Sequence, residues 1–122
     1  TGLDGSYPRC NAFLQRQIAQ SGLLLTEYPL ETTPYPSNFP ERNRIIAGLC
    51  HTCLVVEGSR RSGSLITANL ALQDNRNVCA VPGPIDSPMS LGTNELIAAG
   101  ARPILSSQDI LEELPDWLFS VK

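Results

Sequence analysis

Histidine occurs once in the 122 residues, as His51, and this scarcity limits the chemistry open to the chain. His51 stands beside a predicted strand, with no serine or cysteine placed for it to activate. A structural role is therefore expected for it. There is no G-x-x-x-x-G-K followed by Ser or Thr, so a P-loop nucleotide site is excluded. There is no G-x-G-x-x-G either, which removes the dinucleotide fingerprint. No apolar run approaches the ~18 residues needed to cross a bilayer, so no membrane partner is expected. Thr1-Gly2-Leu3-Asp4 lacks both the basic and the apolar segment of a signal peptide, and the expected compartment is the cytoplasm. Basic residues are outnumbered nine to twelve, for a net charge of −3. A general polyanion binder is basic overall, and this chain is not.

Nearly half of the positive charge lies in two clusters, Arg42 with Arg44 and Arg60 with Arg61, so a local basic patch is open to the chain. Hydrophobic residues make up 42% of the chain, enough for a globular core and against wholesale disorder. The length suits one domain. The four cysteines are Cys10, Cys50, Cys53 and Cys79. Cys50-His51-Thr52-Cys53 has redox or zinc spacing. A zinc site needs two more ligands, however, and the only histidine lies between the cysteines. Reduced, structural cysteines are expected, with no metal and no cofactor.

Taken in order, the chain alternates helical and strand patterns. Asn11 to about Ser21 reads as a short amphipathic helix that Gly22 stops. Leu23-Leu24-Leu25-Thr26-Glu27 opens with an apolar, non-alternating run and predicts a strand buried on both faces. Residues 28–40 hold four prolines and form a long loop. A helix is predicted from about Glu41 to Cys50. A strand over Cys53–Glu57 follows, then the polar loop 58–64 and a helix from Leu65 to about Asn75. A third strand covers Asn77–Val81, and residues 82–93 form another loop. Thr93 or Asn94 is a candidate cap for a helix over Glu95–Ala99, which Gly100 ends. A short strand near Arg102–Leu105 and a last short helix after Ser107, closed by Pro115, complete a domain over residues 1–115. The tail 116–122 carries Trp117, Leu118 and Phe119, which are expected to dock on another surface. Helices alternating with non-alternating strands predict an α/β fold with a parallel sheet.

In such folds, ligands bind beyond the carboxyl ends of the strands. Phe39-Pro40-Glu41-Arg42-Asn43-Arg44 sets two cations at a helix start, where free N–H groups and the dipole favour an anion. Ser62-Gly63-Ser64 opens the next helix, with Thr67 one turn on and Arg60 and Arg61 beside it, and a phosphate suits it as well. The plainer alternatives stand beside these: Arg42 and Arg44 as a solvated face with Glu41, and Ser62 or Ser64 as ordinary N-caps. Glu27 and Glu57 both end predicted strands and offer either paired acid–base chemistry or fold-supporting hydrogen bonds.

Gly2-Leu3-Asp4 with Tyr7-Pro8, Glu27-Tyr28-Pro29, Phe39 through Leu49, Ser62 through Ala68, Ala80-Val81-Pro82-Gly83 and Gly92 through Ala101, in that order, carry a resemblance to the bacterial DNA processing protein DprA (Smf) family. It implies a Rossmann-like, three-layer α/β/α domain with a mostly parallel sheet, of which these residues resemble the second half. The family's earlier βα units and their Gly-Ser-Arg-type loop are not among them. A lysine that the family often places before the Phe-Pro pair is replaced by the neighbourhood Thr33-Pro34-Tyr35-Pro36-Ser37-Asn38. The resemblance further implies a protein that is not an enzyme. Such proteins bind single-stranded DNA, protect it in natural transformation and load the RecA recombinase onto it. The implied DNA-binding residues are Phe39, Arg42, Asn43, Arg44, Arg60, Arg61, Ser62, Gly63, Ser64 and Thr67. A homodimer contact is expected in the later part, at Ile104, Leu105, Ile110 and Leu111. The rival reading is a nucleotide-binding or nucleotide-hydrolysing enzyme resembling the LOG phosphoribohydrolases. Its glycine-rich loop is poorly matched by Ser62-Gly63-Ser64, and no glutamate follows at helical spacing.

Overall fold

Three short segments pair into a parallel sheet in the computed structural model, which describes residues 1–119. Strand β1 (Thr52–Val55) pairs with β2 (Asn77–Ala80), and β2 pairs with β3 (Arg102–Pro103), in the order β1-β2-β3. The helices are α1 (Ala12–Ser21), α2 (Asn38–Leu49), α3 (Gly63–Gln73), α4 (Leu91–Ala98) and α5 (Ser107–Glu112). Short 3-10 turns cover Arg9–Asn11, Pro88–Ser90 and Asp116–Phe119. The chain divides into two units, Thr1–Asn38 and the part from Phe39 onward.

The second unit holds the sheet. Side chains alternate across a strand, and Val55, Val78 and Ala80 face one side. There they meet Ala47 of α2, Ala68 and Ala71 of α3, and Leu96 of α4 in a single buried cluster. Alanine at three of the helix positions lets backbone approach backbone closely. The alternate residues Thr52, Asn77 and Arg102 lie on the other face, Thr52 paired with Asn77 and Arg102 with Cys79, two residues further along β2. Glu113 spans them: its carbonyl accepts from Thr52 Oγ1 at 3.3 Å, and its carboxylate accepts from Asn77 Nδ2 and Arg102. Arg102 also reaches Glu112 at 2.7 Å. The end of α5 is thus held to the sheet face opposite α3 and α4, giving an α/β fold with helical layers on both faces.

Gly100 adopts φ +106°, a left-handed backbone that glycine takes without strain. This turns the chain out of α4, where Gly100 N–H bonds the Ile97 carbonyl and Ala101 N–H the Leu96 carbonyl. Helix α2 begins at Asn38, two residues before Pro40. The proline sits in the first turn, where its missing N–H costs no helical bond. The N-caps differ from expectation. Thr93 is 1% exposed inside α4 and donates its hydroxyl to the Ser90 carbonyl, so it packs rather than caps. Asn94 bonds a loop instead, as described below. All four cysteines are free thiols. Burial raises the pKa of Cys53, aided by the neighbouring Cys50 and Cys79, and burial also raises that of Cys79.

Helix α5 opens on a capping box. Ser106 Oγ accepts from Asp109 N–H, and the Asp109 carboxylate accepts from the N–H groups of Leu105 and Ser106, both at 2.8 Å. These bonds, that from Leu105 first, hold the carboxyl below its ordinary pKa. A depressed carboxylate contributes stability above its unfolded pKa of about 3.9 and loses it as the pH falls through the folded value. Asp109→Asn is therefore expected to flatten the acid limb of thermal stability below about pH 4. Melting curves of both proteins across that range check this. Parallel acid limbs count against it.

The first unit contains α1, which Gly22 ends as expected, its N–H bonding the Ile18 carbonyl at 2.7 Å. Gln15 Nε2 ties α1 to the carbonyls of Leu3 and Gly5, and Asp4 accepts from Glu31 N–H. The predicted strand Leu23–Glu27 does not form: Leu23 is 79% and Leu25 61% exposed. A strand is stable only when a neighbour takes up its N–H and C=O groups, and no strand among the described residues pairs with this run. Glu27 accordingly ends no strand. In the tail, Trp117, Leu118 and Phe119 are exposed rather than docked. The rest of the tail, residues 120–122, lies outside the described residues.

Candidate functional site

Helices α2 and α3 flank β1 in sequence and run opposite to it, so both begin at the carboxyl end of the sheet. Their starts meet. The Asn43 amide nitrogen lies 3.5 Å from the Gly63 carbonyl, and its oxygen accepts from Arg42 Nε at 3.3 Å. Thr67 Oγ1 donates to the same Gly63 carbonyl at 3.3 Å. Arg42, Asn43, Gly63 and Thr67 are thereby one connected group at the rim.

The loop after β1 is fixed from the other side. Gly58 N–H donates to the Met89 carbonyl at 2.8 Å, and Gly92 N–H donates to the Gly58 carbonyl at 2.9 Å. The loop after β2 is clamped by Asn94, whose side chain both accepts from Gly83 N–H and donates to its carbonyl, at 3.1 and 3.0 Å. Two loops held by these hydrogen bonds thus border the start of α3. The Pro82-Gly83-Pro84 turn displays Ile85, which is 90% exposed, at its tip.

The predicted site residues divide by environment. Phe39, Arg42 and Arg44 are exposed on the first turns of α2, whereas Asn43 is buried at 8% exposure. Arg61 is exposed, and among the described residues no carboxylate pairs with Arg42 or Arg61. Arg60 instead turns to α4 and pairs with Glu95. Ser62 occupies the N-cap position of α3 but makes no capping bond, and its buried hydroxyl has no hydrogen-bond partner. The first N–H groups of α3 therefore carry no side-chain cap. Space around Gly63 is open, with nothing within 4 Å of where a Cβ would stand. Ser64 is exposed in the first turn. An uncapped helix start, open space above it and two cations beside it make a place for an anionic oxygen. Asn94, Gly58 and Gly92 frame this site without being among the site residues expected from the sequence, although Gly92 and Asn94 lie in the stretch Gly92 through Ala101 and Gly58 in the polar loop 58–64. The one role expected of Asn94 itself was that of a cap.

Comparison with known proteins bears on the same stretch. The family model for DNA recombination-mediator protein A matches residues 1–115. The chain is 48% identical over 115 residues to DNA processing protein DprA of Bacillus subtilis, covering 94% of this chain and 39% of the relative. It is 47% identical over 114 residues to protein Smf of Escherichia coli, covering 93% of this chain and 30% of that protein. The X-ray structure of DprA from Streptococcus pneumoniae superposes with a TM-score of 0.89 at 46% identity, over 94% of this chain and 41% of that one. DprA from Helicobacter pylori, solved for its single-stranded DNA binding mode, superposes with a TM-score of 0.83 at 31% identity, over 99% of this chain and 54% of that one. The likeness carries the Rossmann-like architecture with it. The chain spans roughly a third of the length of these curated relatives. On the match over residues 1–115, the chain belongs to the DNA recombination-mediator protein A family.

Proposed function

We propose that the rim formed by the starts of α2 and α3 binds single-stranded DNA, in a protein of the DprA/Smf type that is not an enzyme. The observation that carries this is the uncapped start of α3 joined through Asn43 to a cation-bearing turn of α2. Phosphates sit on the N–H groups of that first turn and against Arg42, Arg44 and Arg61. Phe39, 41% exposed beside them, stacks on a base, an interaction indifferent to sequence and worth roughly 1–3 kcal/mol. The net charge of −3 restricts attraction to this patch. The single-stranded DNA binding of the H. pylori relative supports the reading. In this reading the whole protein shelters incoming strands in natural transformation in the cytoplasm and passes them to the RecA recombinase. Titration with a dT oligonucleotide at several salt concentrations tests it. Log affinity should fall linearly with log salt, by about 0.7 per phosphate neutralised. Affinity that ignores salt, or no binding, overturns the reading.

Self-association belongs to the same proposal. Leu105 is 79% and Leu111 44% exposed, with Ile110 half-buried between them. Ile104 is different: it is 6% exposed, its N–H bonds the Ala80 carbonyl, and it faces inward as the unit stands. The contact therefore narrows to Leu105, Ile110 and Leu111, and a two-fold pair is the commonest solution. Sedimentation at micromolar concentration should show a dimer of the 13.2 kDa chain. Ile110→Glu with Leu111→Glu should return it to monomer. A dimer that survives both changes places the contact at a sheet edge instead.

A further inference from the structure

Asn43 is buried in a turn whose neighbours Glu41, Arg42 and Arg44 are all exposed. Asparagine is a poor helix former because its amide competes for backbone bonds, and burying an amide is unfavourable without partners. Alanine in its place gives a better helix and leaves no orphan at Gly63, whose carbonyl also accepts from Thr67. Something other than packing therefore accounts for the residue. Both of its partners, Arg42 and the first residue of α3, belong to the rim.

We propose that Asn43 is a positioning residue for the anion site. Its amide ties the Arg42 guanidinium to the start of α3, so that the cation and the open N–H groups address the same phosphate. Asn43 itself does not touch the strand. A guanidinium held at Nε keeps its terminal nitrogens free for a bidentate contact with phosphate oxygens. This inference rests on the nucleic-acid reading above and adds to it how the cation is aimed.

A mutant cycle on the 122-residue chain tests it, using dT oligonucleotide affinity and its salt slope for wild type, Arg42→Ala, Asn43→Ala and the double variant. A charge-assisted contact is worth about tenfold in affinity. Each single variant is therefore expected to bind about tenfold more weakly. The double variant should be no weaker than Arg42→Ala, because Asn43 acts through that side chain. Arg42→Lys, which has no Nε to hold, should already show the loss and be indifferent to Asn43→Ala. Asn43→Ser runs in the same cycle should Asn43→Ala fold poorly. Losses that multiply to about a hundredfold in the double variant overturn the proposal, since they make the two residues independent. So does an Asn43→Ala protein that melts earlier but keeps the wild-type affinity and salt slope, because that is a purely structural role. Absence of binding by the wild type overturns the nucleic-acid reading itself and this inference with it, and is told apart by needing no variant.

Discussion

Arg42→Ala combined with Arg61→Ala is expected to weaken dT oligonucleotide binding by about a hundredfold and to flatten its salt dependence. Each arginine faces solvent, and no carboxylate among the described residues pairs with either. A hydrogen bond to a charged group is worth about 1.5–3 kcal/mol net, and about 1.4 kcal/mol is tenfold in affinity. Two phosphates lost from a single strand should lower the slope of log affinity on log salt by about 1.4. Arg60→Ala is the matched control. Its guanidinium pairs with Glu95, both side chains are largely exposed, and such pairs add little stability. It should bind within a few-fold of wild type and melt nearly as wild type does. A double variant that keeps the wild-type slope removes Arg42 and Arg61 from the site.

Gly92→Ala is expected to cost about 1–3 kcal/mol of stability, in the range of other overpacked cores. A Cβ there meets the Gly58 carbonyl oxygen at 2.5 Å and the Ser59 carbonyl oxygen at 3.0 Å. Both are main-chain atoms, so relief requires moving the loop or the helix. The same movement breaks the bond from Gly92 N–H to Gly58, which pins the loop after β1. For a domain of this size the melting temperature should drop by roughly 5–15 °C. Oligonucleotide binding should weaken as well, because that loop leads directly into the start of α3. Gly63→Ala gives the contrast: with open space around it, it should melt within a degree or two of wild type, about what an exposed substitution costs. If Gly92→Ala melts like Gly63→Ala, the close approach of α4 to the loop does not govern stability.

Several features were legible because their causes are local. The apolar runs at Cys53–Val56 and Val78–Val81 sit where β1 and β2 form. Gly22 and Gly100 end helices as their chemistry requires, and Ser62-Gly63 marks the start of α3 within one or two residues. Turn chemistry and hydrophobic period act over a few residues, so a single sequence displays them. The two anion-favouring helix starts could likewise be read from arginine and glycine beside them.

What depends on distant partners was not legible. Leu23–Glu27 has the composition of a strand, but a strand is decided by whether a neighbour takes its hydrogen bonds. Asn43 and Arg60 looked like equal members of one set of DNA-binding residues. The fold turns one inward to Gly63 and the other sideways to Glu95, so their roles part. Asn94 had the right chemistry for a cap and instead clamps Gly83, eleven residues away in sequence. Ile104 looked like surface for a partner and lies inside. By itself, then, the sequence determined the α/β class, most element positions and the chemistry gathered at two helix starts. Only the tertiary structure decided which side chains meet. Side-chain contacts are made across the sheet and between helices, and a residue's neighbours there are set by packing rather than by its place in the chain.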